Sequence, residues 1–282
     1  MPADAGALAG IESRPGVPKP DAILVASDIT RSFGGLLAVD VDHLEIERGR
    51  ITSLIGPNGA GKTTLFNLLT GFDKPNRGTW SFDGRSLDHA PAYSVARSGM
   101  VRTFQLTKAL SKMSVLDNMK LASPSQRGEH FFPALFRVWK GQEHEIEAKA
   151  MELLERFGLA RMRDEYAGTL SGGQRKLLEM ARALMADPKM VMLDEPMAGV
   201  NPALVESLLT HIRELPAHGV TVLFVEHDMD VVMGISDWVV CMAEGKVIAE
   251  GRPSAIVAND AVIDAYLGTR RAERHRDVGT DS

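Results

Sequence analysis

A single cysteine, Cys241, stands among 282 residues, so no internal disulfide can form and the fold has to hold without covalent cross-links. Aromatic residues make up only 6% of the chain. Neither sign of charge dominates: 32 Lys+Arg stand against 37 Asp+Glu, a formal net charge of −5. That balance gives no electrostatic footprint for nucleic acid. No apolar run approaches the ~20 residues that span a bilayer, and the longer ones, such as Val220–Val225, are strand-sized. The N-terminus lacks the basic start and apolar centre of a signal peptide. What remains is ordinary globular composition, 44% hydrophobic and 24% charged, enough for one large domain or two lobes.

Breakers mark the two ends. Pro2, Gly6, Gly10, Pro15, Gly16, Pro18 and Pro20 predict a flexible leader over residues 1–20, and the charged stretch 269–282 predicts a flexible tail. Between them, Ala22–Ala26 and Val39–Ile46 are predicted strands, with Phe33-Gly34-Gly35 in the turn that joins them. Ile51–Ile55 is a short strand running straight into Gly56, and a helix follows over Lys62–Leu69. Thr79–Phe82 and Val101–Phe104 are further short strands. From about residue 106 to 187 the chain turns helical. There Ile146, Ala150, Leu153, Leu154 and Phe157 line one helix face, and Glu145/Lys149 and Glu152/Arg156 pair on the other side. Met190–Leu193 and Val220–Val225 are continuously apolar, as strands buried on both faces of a parallel sheet are. The prediction is an α/β domain over residues 21–268 with a helical insertion.

The residues Gly56-Pro57-Asn58-Gly59-Ala60-Gly61-Lys62-Thr63 fit the P-loop pattern in full, between a strand and a helix, and Thr64 follows in the same helix start. Glycines let the backbone wrap phosphates, and the helix N-terminus turns its N–H groups toward the anion. In that pattern Lys62 contacts the terminal phosphates and Thr63 binds Mg²⁺. The strand Met190–Leu193 ends in Asp194 and Glu195, at the strand end where open α/β sheets bind ligands. Asp194 is placed to hold Mg²⁺, and Glu195 to polarise an attacking water.

Ser171-Gly172-Gly173-Gln174 is a second glycine-bearing helix start. Ser171 and Gln174 have capping-box spacing, which accounts for the helix beginning there. The glycine pair is unexplained by capping, and a start without β-carbons admits another molecule to the exposed N–H groups. His227 follows a buried strand: it contacts a γ-phosphate, orients the water of Glu195, or is structural. Gln105 ends the Val101–Phe104 strand within reach of the metal or the water. Phe33 either stacks on a purine or packs in its turn.

In this order the pieces resemble the ATP-binding subunit of ABC transporters, from about Ile23 to Gly268. Phe33 matches the family's A-loop aromatic, Gly56–Thr63 its Walker A loop and Gln105 its Q-loop glutamine. Leu170-Ser171-Gly172-Gly173-Gln174 matches the signature, Met190–Asp194 Walker B, Glu195 the catalytic glutamate and His227 the switch histidine. The resemblance implies a P-loop NTPase (ABC ATPase) core with an N-terminal antiparallel β portion and a helical subdomain. It implies ATP and Mg²⁺ as ligands and hydrolysis as the reaction. Two subunits would pack head to tail, alike or different, each ATP held between one Walker A loop and the other chain's Ser171–Gln174.

The implied partners are transmembrane permease subunits and a periplasmic or lipid-anchored substrate-binding protein, with the chain on the cytoplasmic membrane face. Where many members carry Ser-Ala-Leu-Asp in the D-loop, this chain has Met197-Ala198-Gly199-Val200-Asn201, and Asn201 brings no carboxylate. Phe33–Val39, Thr70-Gly71-Phe72, Arg102–Gln105, Glu226–Met229 and Asp264–Gly268 are similar to the branched-chain amino acid importers. Urea or amide importers share most of the pattern, and the lipopolysaccharide exporter shares the last stretch. The apolar stretch 130–139 either lies near the membrane partner or packs on the insertion's own helices. Two other classes stand against this one. A ribosome- or DNA-directed ABC ATPase resembles tandem domains or carries long coiled-coil insertions, and a small-molecule kinase has no use for Ser171–Gln174.

Overall fold

The apolar segments expected as buried strands lie side by side in a computed structural model, which describes residues 8, 10–103, 110–124 and 140–267. In chain order the strands are β1 (Ala22–Phe33), β2 (Leu36–Glu47), β3 (Ile51–Ile55), β4 (Arg77–Phe82) and β5 (Arg85–Ser86). They continue with β6 (Met100–Arg102), β7 (Met190–Asp194), β8 (Thr221–Val225), β9 (Trp238–Ala243) and β10 (Lys246–Gly251). The helices are α1 (Lys62–Leu69), α2 (Ala92–Arg97), α3 (Val115–Leu121), α4 (Lys140–Arg156) and α5 (Gly172–Leu184). They end with α6 (Pro202–Glu214), α7 (Met229–Ile235) and α8 (Pro253–Val257), and a helical stretch over residues 260–267 follows.

Six strands form the main sheet in the order β10-β9-β3-β8-β7-β6, with β9, β3, β8, β7 and β6 parallel and β10 antiparallel on the edge. Every residue of β3 and β8 is buried, which is why these strands read as unbroken apolar runs. Alternate side chains feed two cores. Along β7, Val191 and Leu193 join the cluster that includes α5 and α6, and Met190 and Met192 join the cluster with α1 and the second sheet. That second sheet is antiparallel, in the order β2-β1-β4-β5. Between β6 and β7 the described chain is helical, and α3 and α5 pack there on α4 through Ala150, Leu153 and Leu154. No helix among the described residues is long and apolar enough to cross a membrane.

Two expectations differ from the structure. The first strand runs on to Phe33 instead of stopping at Ala26. Its second half is polar because that face is partly exposed, and Asp28 sits at φ 53° where the pairing with β4 shifts register. Residues 10–20 are also not free. Val17 is buried and its N–H donates to Glu250 Oε1 at 2.7 Å, while the Lys19 ammonium lies 3.4 Å from the same carboxylate and 4.7 Å from the Trp238 ring centroid. Proline and glycine signal a lack of regular structure, and this segment has little; they do not signal a lack of docking.

Candidate nucleotide site

Three parallel strands end together at one sheet edge and carry the motif residues with them. β3 ends at Ile55 and hands over to the loop 56–61, which enters α1 at Lys62. Gly56 has φ 147°, and a Cβ there would overlap the Met242 carbonyl oxygen of β9. On Gly61, the N-cap of α1 at φ 97°, a Cβ would overlap the Ala38 carbonyl oxygen of β2. The loop is thus pressed onto backbone from both sheets, and only glycine permits that approach.

No side chain caps α1, which leaves the helix start open to an outside acceptor. Lys62 Nζ donates to the carbonyls of Gly56 at 2.6 Å and Pro57 at 2.9 Å, folding the ammonium back over its own loop. Burial lowers its pKa, and Glu195 and Asp194 work against that shift, so both acids lie within its electrostatic reach. Asn58, Gly59 and Thr63 are exposed, Pro57 and Thr64 are half-buried, and Ala60 is buried.

Asp194 closes β7 opposite Val225 of β8, and Arg102 at the end of β6 places Nη2 2.7 Å from its Oδ2. Glu195 follows at φ 45°, its N–H donating to the Val225 carbonyl at 3.1 Å. A non-glycine residue in this left-handed conformation costs about 1–3 kcal/mol, and such outliers gather at functional sites. His227 is exposed one residue beyond the buried Glu226. Glu226 accepts from the N–H groups of Met197 and His227, each at 3.2 Å, and so joins the 197–201 turn to the histidine. Burial pushes the Glu226 carboxyl pKa up, against those two hydrogen bonds. Phe33 is 47% exposed, with the Arg31 guanidinium 4.5 Å from its ring centroid. Gln105 lies outside the described residues, three positions after Arg102. Arg102 and Glu226 open two of the stretches that carry the family resemblance, and the sequence assigns neither side chain a role. The available signal was a charged residue closing an apolar strand, which both share with Asp194.

Ser171 and Gln174 form the full capping box: Gln174 Oε1 accepts from Ser171 N–H at 2.9 Å and Ser171 Oγ from Gln174 N–H at 3.2 Å. The glycine pair divides. A Cβ on Gly173 would run into the flexible Cδ1 end of Leu204 in α6 and lie 3.2 Å from its Cβ, so packing within this chain favours glycine there. Gly172 is exposed, with only the Gly199 carbonyl at 3.5 Å. Asn201 caps α6, its Oδ1 accepting from Ala203 N–H at 2.9 Å. The signature helix therefore begins against the 197–201 turn. None of the hydrogen bonds or ion pairs among the described residues joins Ser171–Gln174 to the Gly56–Thr63 loop of the same chain.

Residues 39–198 match the family model described as ABC transporter, more than half of the chain. The chain belongs to the ABC transporter ATP-binding family. As an ABC ATPase it also carries, over residues 246–272, a match to the model described as branched-chain amino acid ATP-binding cassette transporter. A probable branched-chain amino acid transport ATP-binding protein LivG of Archaeoglobus fulgidus is 43% identical over 251 residues, 89% of this chain and 97% of that protein. The high-affinity branched-chain amino acid transport ATP-binding protein BraF of Pseudomonas aeruginosa is 43% identical over 249 residues, 87% of this chain and 98% of its own length. A solved nucleotide-free ATP-binding cassette from an ABC transporter superposes with a TM-score of 0.76 at 38% identity, covering 87% of this chain and 98% of that one. A cassette in its ADP conformation gives 0.76 at 37% identity, covering 88% and 99%. The ABC ATPase fold and nucleotide binding stand on these comparisons together with the loop geometry above.

Proposed function

We propose that this ABC ATPase is the nucleotide-hydrolysing subunit of an importer for branched-chain amino acids, working on the cytoplasmic face of the membrane. The observation that carries the site assignment is the convergence of the Lys62 loop, Asp194, Glu195 and His227 on one sheet edge. The loop N–H groups and Lys62 bind the ATP phosphates, and Phe33 supports the base. The donors available for Mg²⁺ are hard oxygens, the Thr63 hydroxyl and the Asp194 carboxylate, with Gln105 as a third. Such a set suits an ion that keeps several waters and takes phosphate oxygens. When bound, Mg²⁺ neutralises charge developing on the phosphates. Glu195 accepts a proton from the attacking water, and His227 fixes that water beside the γ-phosphate. Ser171, Gly172, Gly173 and Gln174 serve the ATP of a second subunit, whether a copy or a paralogue.

The cargo reading rests on the names of the relatives and on the C-terminal match over residues 246–272. The remaining partners are two permease subunits and a periplasmic or lipid-anchored binding protein. A groove of 1040 Å³ supports a permease contact: it runs between the β6 edge and α5, lined by Arg97, Arg102, Arg182 and Lys189 with Glu179 and Asp187. Expressed from its own membrane with a tag, the chain should co-purify with two permease subunits, and vesicles holding that complex should take up leucine or valine only with ATP. A chain that recovers no membrane protein, or a complex that ignores branched-chain amino acids, contradicts this reading.

A further inference from the structure

The C-terminal stretch Asp264–Leu267 has no part in the hydrolysis described above, yet one of its side chains reaches the nucleotide loop. Gly56 N–H donates to the hydroxyl of Tyr266 at 2.9 Å, across 210 positions of sequence. β3 ends at Ile55, so this N–H is the first backbone donor past the sheet, and Gly56 is buried. The carbonyl of the same residue accepts from Lys62 Nζ at 2.6 Å. Gly56 is therefore gripped on both sides, by the tyrosine at its nitrogen and by the phosphate-binding lysine at its oxygen. A collision between any Cβ and the Met242 carbonyl confines it from a third direction.

We infer that Tyr266 is a positioning residue of the nucleotide site: its hydroxyl fixes the first peptide of the phosphate-binding loop and, through Gly56, the place of Lys62. This deepens the proposed ATPase site and rests on it. The C-terminal segment matched over residues 246–272 then has a physical task, to close the loop from behind. The helical stretch 260–267 is anchored for it by Val262, buried at 5% exposure, and the Tyr266 ring packs on the core cluster that includes α5 and α6. Burial, with Cys241 nearby, pushes the phenol pKa up to about 12. The hydroxyl is thus neutral at physiological pH, an acceptor for Gly56 with its own proton still to donate. A loop whose first N–H loses its buried partner samples more conformations, and binding a phosphate chain has to pay to order them.

The test uses the full chain and a fluorescent ADP analogue. Tyr266→Phe removes one oxygen and keeps the ring, and it should weaken binding about tenfold while lowering the melting temperature no more than the core variant Leu154→Ala does. Leu154→Ala empties a buried position of α4 in the helical insertion, away from this helix, and it should lower the melting temperature while leaving nucleotide affinity as it is. A Tyr266→Phe chain that binds like the native one overturns the inference, as does a Leu154→Ala chain that loses affinity equally. Amide exchange needs no variant: Gly56 N–H should exchange slowly in the native protein without nucleotide, and exchange as fast as at exposed Gly59 also overturns it. If the native chain binds no nucleotide, the ATPase reading itself falls; if it binds and Tyr266→Phe binds equally, only this inference falls.

Discussion

The Arg102 guanidinium donates through Nη2 to Asp194 Oδ2 at 2.7 Å and through Nη1 to Asn67 Oδ1 at 2.6 Å, so one side chain ties the end of β6 to Walker B and to the helix behind the P-loop. Arg102 and Asp194 are only 10% and 14% exposed. Breaking such a pair from one side leaves a nearly buried charge without its partner. Arg102→Gln should cost about 2–4 kcal/mol in urea denaturation. Arg102→Lys keeps the charge but loses the planar fork, and it should recover only part of that loss.

Gly173→Ala tests the packing reading of the signature glycines. The added methyl meets Leu204, so the variant should lose about 1–2 kcal/mol of stability as an isolated chain. Adding Leu204→Ala should remove the clash, giving a coupling of about 1 kcal/mol in a double-mutant cycle. Gly172→Ala, with only the Gly199 carbonyl at 3.5 Å, should leave the isolated chain's stability within about 0.5 kcal/mol of native.

Local pattern carried the central elements. Ile51–Ile55, Met190–Asp194 and Thr221–Val225 are legible as strands because each is buried on both faces, and the loop at Gly56 is legible because its glycines answer a local geometric demand. Partners far apart in sequence were not legible. Nothing near Arg102 names Asp194, nothing near Tyr266 names Gly56, and nothing near Lys19 names Glu250; each pairing follows from which strands and ends the sheet brings together. The polar half of β1 is illegible for a related reason: its partly exposed face lacks the apolar alternation that marks a strand. The packing of Gly173 on Leu204 is hidden as the distant pairings are, because Leu204 lies in a different helix of the same chain.

The docking of residues 10–20 gives a pH-dependent prediction. Lys19 and Glu250 have side chains 1% and 0% exposed. Burial pushes the Glu250 pKa up and the Lys19 pKa down, each against the attraction of the other. Lys19→Met leaves Glu250 buried without a cation, so at neutral pH the variant should lose about 3–5 kcal/mol. An acid whose folded pKa is raised contributes stability while protonated, below its unfolded pKa, and loses it as pH rises toward the folded one. The deficit of Lys19→Met should therefore be small near pH 4 and grow toward pH 7, as measured by denaturant midpoints across that range.

The most direct test of the ATPase account is sedimentation and turnover of Glu195→Gln with ATP and Mg²⁺. The account predicts that this variant binds ATP, turns it over about 10²–10⁴-fold more slowly than the native chain, and accumulates as a dimer that adding Ser171→Arg abolishes. Hydrolysis at the native rate by Glu195→Gln, or an ATP-dependent dimer that survives Ser171→Arg, would contradict it.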